Sequence, residues 1–337
     1  MPFKAMVSAF LLGLGLAAAS QPAAAQQPIP INLSVGVRDP IYTHIYVAMA
    51  KGYFVDEGLK PNLIVTGSGS RSAQLLATGQ ADVLLGNPEH VIVINREGRP
   101  AAMLAAVDQR NTFGNILVNK GSAAKTLADL KGKPIGVTAT GGGAYYYANY
   151  MFLKSGLTNQ DVQWLSLGAL NNIVGALRSG RIEAAVASVS MIETAVKEGY
   201  GRVIFDSRDS KEWDAIFGGP MPSSVIYALQ ATIDQKPEMV KKVVRAMAAA
   251  DDFIRTNSPE EVAKTILADM GGQDLASVTL AVKDYKENYW RPQGIRITGE
   301  EYKRWQDFVV ANGLIPEAER GKYGYDQLVK DVGAFAK

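Results

Sequence analysis

Tyr42-Thr43-His44-Ile45-Tyr46-Val47-Ala48-Met49-Ala50-Lys51-Gly52-Tyr53-Phe54-Val55-Asp56-Glu57-Gly58-Leu59 joins helix periodicity to a glycine stop, shortly after an extended apolar stretch. Ile31 to Val37 alternates apolar and polar residues and reads as a strand that Asp39-Pro40 ends. The helix that follows would bury Ile45, Ala48, Met49 and Gly52. The order is therefore strand, loop, amphipathic helix, turn, with the loop placed at a strand end where a ligand can be met.

The same order returns roughly a hundred residues later. The first unit runs strand Ile31–Val37, helix to Gly52, strand Asn62–Val65, helix Arg71–Thr78 and strand Val83–Leu85. The second runs strand Ile135–Val137, a Gly-rich loop, helix Ala144–Lys154, strand Val162–Leu167, helix Asn172–Ser179 and strand Ala184–Val189. Each closes on a helix stopped by glycine, at Thr78-Gly79-Gln80-Ala81-Asp82 and Ser179-Gly180-Arg181-Ile182-Glu183. Strands alternating with helices predict an α/β protein of two lobes, each a mostly parallel sheet flanked by helices, with right-handed crossovers. Ligands of open α/β sheets sit beyond the carboxyl ends of the strands, which places a cleft between the lobes. Phe113 to Asn119 would carry the chain from lobe one to lobe two. Ser223 to Gln230, after the breaker Gly218-Gly219-Pro220-Met221-Pro222, would bring it back. Helices are expected over 237–256, 259–270, 277–289 and 298–312, the last opening on a capping box of Thr298 and Glu301.

Composition narrows the function. Residues 1–25 show Lys4, an apolar run and Ala23-Ala24-Ala25, the pattern of a cleaved secretory signal with its cut before Gln26. The apolar run is shorter than the ~20 residues of a membrane span. With no cysteine there is neither a lipidation site nor a disulfide framework. A soluble periplasmic protein is expected. Thirty-five basic and 33 acidic residues leave a net charge of +2, with no basic cluster for nucleic acid. An apolar fraction of 47% suits a folded globule.

Tyr46 to Leu59, with its Lys-Gly-Tyr-Phe, acidic pair and Gly-Leu, resembles the opening unit of solute-binding proteins of ABC importers, of the nitrate/sulfonate/taurine and thiamine-pyrimidine-precursor kind. The resemblance implies a type II periplasmic-binding-protein fold. Lobe one would comprise 26–114 and 226–337, including the C-terminal helices, and lobe two 115–225. It implies a monomer, without cofactor, that closes on a small organic solute such as a sulfonate or carboxylate. The solute would pass to an inner-membrane ABC permease with its ATPase.

Small polar and aromatic groups collect at the strand ends. Ser70 and Arg71, in Gly67-Ser68-Gly69-Ser70-Arg71, open the second helix, with Ser70 able to cap it. Thr140, Gly141, Gly142 and Gly143 do the same in lobe two, where the glycines let backbone approach a ligand or simply form a flexible turn. No Walker or dinucleotide pattern is present. Tyr42, beside Thr43, and Tyr145 are the expected aromatic walls, while Tyr146 and Tyr147 are read as packing residues. Gly86-Asn87-Pro88-Glu89 resembles the Gly-x-Pro-Glu segment of thiamine-precursor members, which implies a ligand amino group at Glu89 beside Asn87. A first-turn glutamate facing a helix dipole explains Glu89 equally well. Ser188 and Ser190 complete the ring.

His44 and His90 are the two histidines, without the spacing of a metal site, and no Gly-x-Ser-x-Gly elbow marks a hydrolase. A synthase of the thiamine-pyrimidine type is the alternative. Its Asn-His-Thr-Gly pattern falls on Ile41-Tyr42-Thr43-His44, with Tyr42 where the histidine belongs, and its Cys-rich motif is absent. A non-enzymatic binding protein is expected, and a sensory partner of a membrane receptor would use the same cleft.

Overall fold

The computed structural model describes Met1 and residues 27–333; the expected leader, Met1 aside, lies outside the described residues. Two five-stranded mixed sheets, each with helices on its faces, make the architecture. In the first, β1 (Ile29–Val35) pairs in parallel with β2 (Leu59–Val65) and β3 (Val83–Gly86), and β4 (Ala101–Ala106) forms one edge. In the second, β6 (Pro134–Val137) pairs in parallel with β7 (Gln163–Ser166) and β8 (Ala184–Ala187), and β9 (Gly201–Phe205) forms one edge. One antiparallel strand lies in each sheet next to an edge. β5 (Asn115–Asn119) lies between β8 and β9, and β10 (Val225–Leu229) lies between β3 and β4.

The sheet orders β2-β1-β3-β10-β4 and β7-β6-β8-β5-β9 are the same order written twice. This explains why the sequence pattern repeats. It also corrects the placement of the crossings: Asn115–Asn119 and Val225–Leu229 are already sheet strands. The chain crosses just before each, at Val107 to Gly114 and at Gly218 to Ser224. The two crossings are laced by Val107 N–H to the Ser224 carbonyl and Met221 N–H to the Gln109 carbonyl, both 2.9 Å.

The first-sheet helices are α1 (Thr43–Ala50), α2 (Tyr53–Asp56), α3 (Gly69–Ala77) and α4 (Glu89–Arg96). Gly52, at φ +78°, supplies the left-handed turn between α1 and α2. Every residue of α1 from Thr43 to Ala48 is buried, so it is not the one-sided helix the periodicity predicts. The second sheet carries α5 (Gly143–Lys154), α6 (Leu170–Arg178) and α7 (Val189–Lys197), followed by α8 (Ser210–Phe217).

The C-terminal part supplies α9 (Gln230–Gln235), α10 (Pro237–Thr256), α11 (Pro259–Ile266), α12 (Leu275–Asn288), α13 (Gly299–Ala311) and α14 (Tyr325–Leu328). α10 and α11 cover α1, which is why that helix is buried all round. α12, however, packs on α7 of the second sheet. Phe308 of α13 meets Tyr147 and Tyr150 of α5 at ring separations of 4.7 and 5.2 Å. The C-terminal helices thus pack on one another, α12 on α11 as well, and touch elements of both sheets. The capping box at Thr298 and Glu301 forms as expected, and Glu301 also holds the buried Arg291 at 2.7 Å.

Candidate ligand cleft

Segments after β1, β2, β3 and β6 converge between the two sheets. They line a partly open chamber of about 30 Å³, with Gly36, Tyr42, Gly69 and Asn87 on one side and Thr138, Gly143 and Ala144 on the other. This is room for about one water molecule. A larger groove of about 580 Å³ runs beside it, and Val37 belongs to the walls of both.

Tyr42 sits in a short 3₁₀ turn whose start is fixed by Asp39, which accepts the Ile41 N–H at 3.0 Å. It is 5% exposed, and burial raises the pKa of its hydroxyl. Tyr42 is therefore both chamber wall and core. Thr43 does not face the chamber: it is fully buried and its hydroxyl donates to the Pro40 carbonyl at 2.6 Å. Close packing against the start of α1 overrides the position that the sequence predicts.

The cap of α3 is Ser68, which accepts the Arg71 N–H, and not Ser70. Freed from capping, the Ser70 hydroxyl has no partner among the described residues and lies 3.5 Å from where a side chain on Gly142 would begin. Arg71 is exposed. Asn87 donates to the Ser223 carbonyl at 3.3 Å, and its side-chain carbon Cγ lies 2.0 Å from where a Gly143 Cβ would stand. The lobes thus touch where one of them has no side chain.

Gly141 takes the left-handed conformation at φ +83° and Gly142 precedes α5. Thr140 is exposed and turned toward Ser166, whose hydroxyl receives its N–H at 3.0 Å. Ser188 caps the start of α7 in position, but its hydroxyl reaches across the cleft to Asp39 Oδ2 at 3.1 Å. Asp39 Oδ1 also accepts the Tyr285 hydroxyl of α12 at 3.1 Å, so three segments meet on one carboxylate. The Ser190 side chain lies outside the described parts.

The three tyrosines of α5 have different surroundings. Tyr145 is held on its own lobe, donating to Asn159 at 2.8 Å with its ring edge-on to Trp164 at 4.8 Å. Tyr147 is the packing residue that the sequence predicts, fully buried with its ring 4.7 Å from that of Phe308, and the Ser223 hydroxyl in the second crossing donates to its oxygen at 2.6 Å. It also lies by Glu89, as does Tyr146, whose hydroxyl burial and the Glu89 charge raise to about 12.

Glu89 is fully buried at the start of α4, two residues after the chamber residue Asn87. Tyr147 and Trp305 approach, yet neither carboxylate oxygen nor Trp305 Nε1 completes a hydrogen bond among the described residues. Burial pushes the Glu89 carboxyl up to about 8, with the nearby Asp108 charge acting in the same direction. Asp108, in the first crossing, is itself pushed up to about 7 by burial although it accepts the Ser223 and Ser224 N–H groups. The sequence reading omitted Asp108, since an isolated aspartate in Val107-Asp108-Gln109 carries no motif.

Neither histidine lines the chamber. His44 is buried against Asp251 at 3.2 Å and edge-on to Trp290. His90 meets the Tyr227 hydroxyl at 3.3 Å, and burial lowers it to about 4, so its ring is neutral. Among the described residues no cluster of three metal-ligating side chains occurs.

The NMT1/THI5-like family model matches residues 39–262, about two thirds of the chain. A putative binding protein of Bacillus subtilis strain 168, YtlA, is 22% identical over 293 residues, covering 86% of this chain and 84% of its own. A solved protein of Bordetella bronchiseptica RB50 superposes with a TM-score of 0.81 at 28% identity, over 90% of this chain and 95% of its own. The alkanesulfonate-binding protein SsuA of Xanthomonas axonopodis pv. citri, solved with MOPS, superposes at 0.69 and 19% identity, over 88% and 96%, a likeness of fold. With the same sheet order in both halves and a cleft between them, the chain belongs to the NMT1/THI5-like family and carries the type II periplasmic-binding-protein fold.

Proposed function

We propose that this protein is the extracytoplasmic solute-binding component of an ABC importer, processed at Gln26, acting by hinge closure and without bond-making. The observation that carries this is the chamber whose wall is shared by loops of both sheets, Tyr42, Gly69 and Asn87 against Thr138 and Gly143. A wall built from two halves exists only when the halves are together, and the paired crossings at 107–114 and 218–224 give the place to bend. On this reading lobe one is 26–114 with 226–337 and lobe two is 115–225, with α12 and α13 following the closure from one to the other. The sulfonate-binding protein of the same fold supports the reading.

The ligand is met by Tyr42, Ser70, Arg71, Asn87, the Gly141 to Gly143 turn and Ser188. Glu89, uncovered when Tyr147 moves off with lobe two, would accept an amino group. A synthase alternative finds no catalytic histidine here, since His44 is engaged with Asp251 and Tyr42 occupies the position of the family's histidine. A thermal-shift panel of sulfonates, carboxylates, nitrate and aminopyrimidines tests the proposal, because a ligand that binds only the folded state raises Tm. Binding without turnover supports it. Conversion of a bound pyrimidine precursor would overturn it.

A further inference from the structure

α12 is fastened to the first lobe. Lys286 Nζ donates to the Arg255 and Asn257 carbonyls around the end of α10, at 3.0 and 2.6 Å, and Trp290, just past α12, packs edge-on to His44 of α1. Its other side packs on α7 of the second lobe. At that junction one guanidinium meets three carboxylates. Arg208, three residues after β9, gives Nε and Nη2 to Asp206 at 2.7 to 3.0 Å. Its Nη1 is divided between Glu193 of α7 at 3.1 Å and Asp284 of α12 at 2.7 Å. Arg110 of the first crossing donates to the Arg208 carbonyl at 3.4 Å, which sets the cluster beside the hinge. The four side chains are 23 to 31% exposed, so water and salt screen them only in part. None of the four lines the chamber or the groove. Arg208, Asp206 and Glu193 stand on the second lobe and Asp284 on α12, so the bond to Asp284 is the one that spans the lobes.

We propose that the Arg208–Asp284 pair is an electrostatic latch that holds the lobes together from outside the solute cleft, and that Glu193, competing for the same nitrogen, sets its strength. The proposal rests on the reading of the cleft as one that opens and closes, and adds what biases that motion. A second carboxylate on Nη1 weakens the bond that Nη1 makes to Asp284, and the two carboxylates repel one another across it. Removing the charge of Glu193 therefore favours closure, and removing that of Asp284 opposes it. A cluster that only braced the turn after β9 would give Asp284 no influence on closure.

The chain has no cysteine, and the Ser70 hydroxyl lies 3.5 Å from where a Gly142 side chain would begin. Ser70→Cys with Gly142→Cys therefore gives a single disulfide that forms when the lobes are together. Its equilibrium constant in glutathione buffers reads the closed population without any solute. Added to this pair, Asp284→Asn should lower the constant by about two- to fivefold, and Glu193→Gln should raise it by a similar factor. In the Asp284→Asn background Glu193→Gln should have no effect, and about 1 M NaCl should shrink both single effects. Circular dichroism of the reduced proteins checks that every variant is folded. Constants indifferent to Asp284→Asn and Glu193→Gln, or a Glu193→Gln effect that persists without the Asp284 charge, overturn the latch and leave the closing cleft in place. A thiol pair at positions 70 and 142 that no glutathione buffer oxidises overturns the closed cleft, and the latch with it.

Discussion

The Ser188 hydroxyl, at the start of α7 on the second sheet, donates to Asp39 Oδ2, after β1 of the first sheet, at 3.1 Å. Asp39 is fully buried by this contact and by Tyr285. The bond joins the lobes only when they are together, so it belongs to the closed state alone. Ser188→Ala should weaken closure by about 1 kcal/mol, which is roughly a fivefold loss of affinity for any ligand that requires it. Calorimetry reads the loss, and an unchanged melting temperature of each lobe keeps it separate from unfolding.

Gly143 and Asn87 make a second contact across the cleft. A methyl group at position 143 would stand 2.0 Å from Asn87 Cγ, so Gly143→Ala cannot close in the same way. The expected outcome is a protein held more open. Asn87→Ala on the same chain should restore compaction, because the obstruction is one side-chain tip and not backbone. Small-angle scattering of the single and double variants checks this.

Glu89 makes stability depend on pH in a definite direction. Its carboxyl is near 4.5 when unfolded and about 8 when buried, so between these values the folded protein keeps a proton that the unfolded chain releases. Stability therefore falls as pH rises from about 4.5 to about 8, by up to ~1.4 kcal/mol per unit from this group. Asp108 acts in the same direction between 3.8 and about 7. Glu89→Gln should flatten the profile and raise Tm at pH 8 more than at pH 5. Calorimetric melting across that range decides it.

Tyr42 is wall and core at once, so its two roles separate by substitution. Tyr42→Ala should cost about 3–5 kcal/mol of stability through the cavity it leaves. Tyr42→Phe keeps the ring and should hold stability close to the parent. Denaturant unfolding of the pair distinguishes them.

What the sequence made legible followed from local chemistry. The glycine stops at Gly79 and Gly180 and the capping box at Thr298 act within a few residues, and the structure carries each of them. The doubled sheet order followed because the same local pattern occurs twice. What it missed was decided at a distance. Tyr145, Tyr146 and Tyr147 point about 100° apart on α5, and Tyr145 is held by Trp164 of an edge strand further along the chain, a contact that no local pattern announces. A serine at position 70 has the chemistry of a cap. Ser68, two residues earlier in the same loop, caps the helix instead. The α12 helix carries no residue pattern that says it will pack on α7, since that contact exists only in the folded pair of lobes.

The central claim is that two lobes close on a solute about the crossings at 107–114 and 218–224. Small-angle scattering of the parent protein, with and without the solute that raises its Tm most, tests this directly. The account predicts a smaller radius of gyration with solute, and loss of that change in Gly143→Ala. A radius of gyration that stays the same at saturating solute would contradict it.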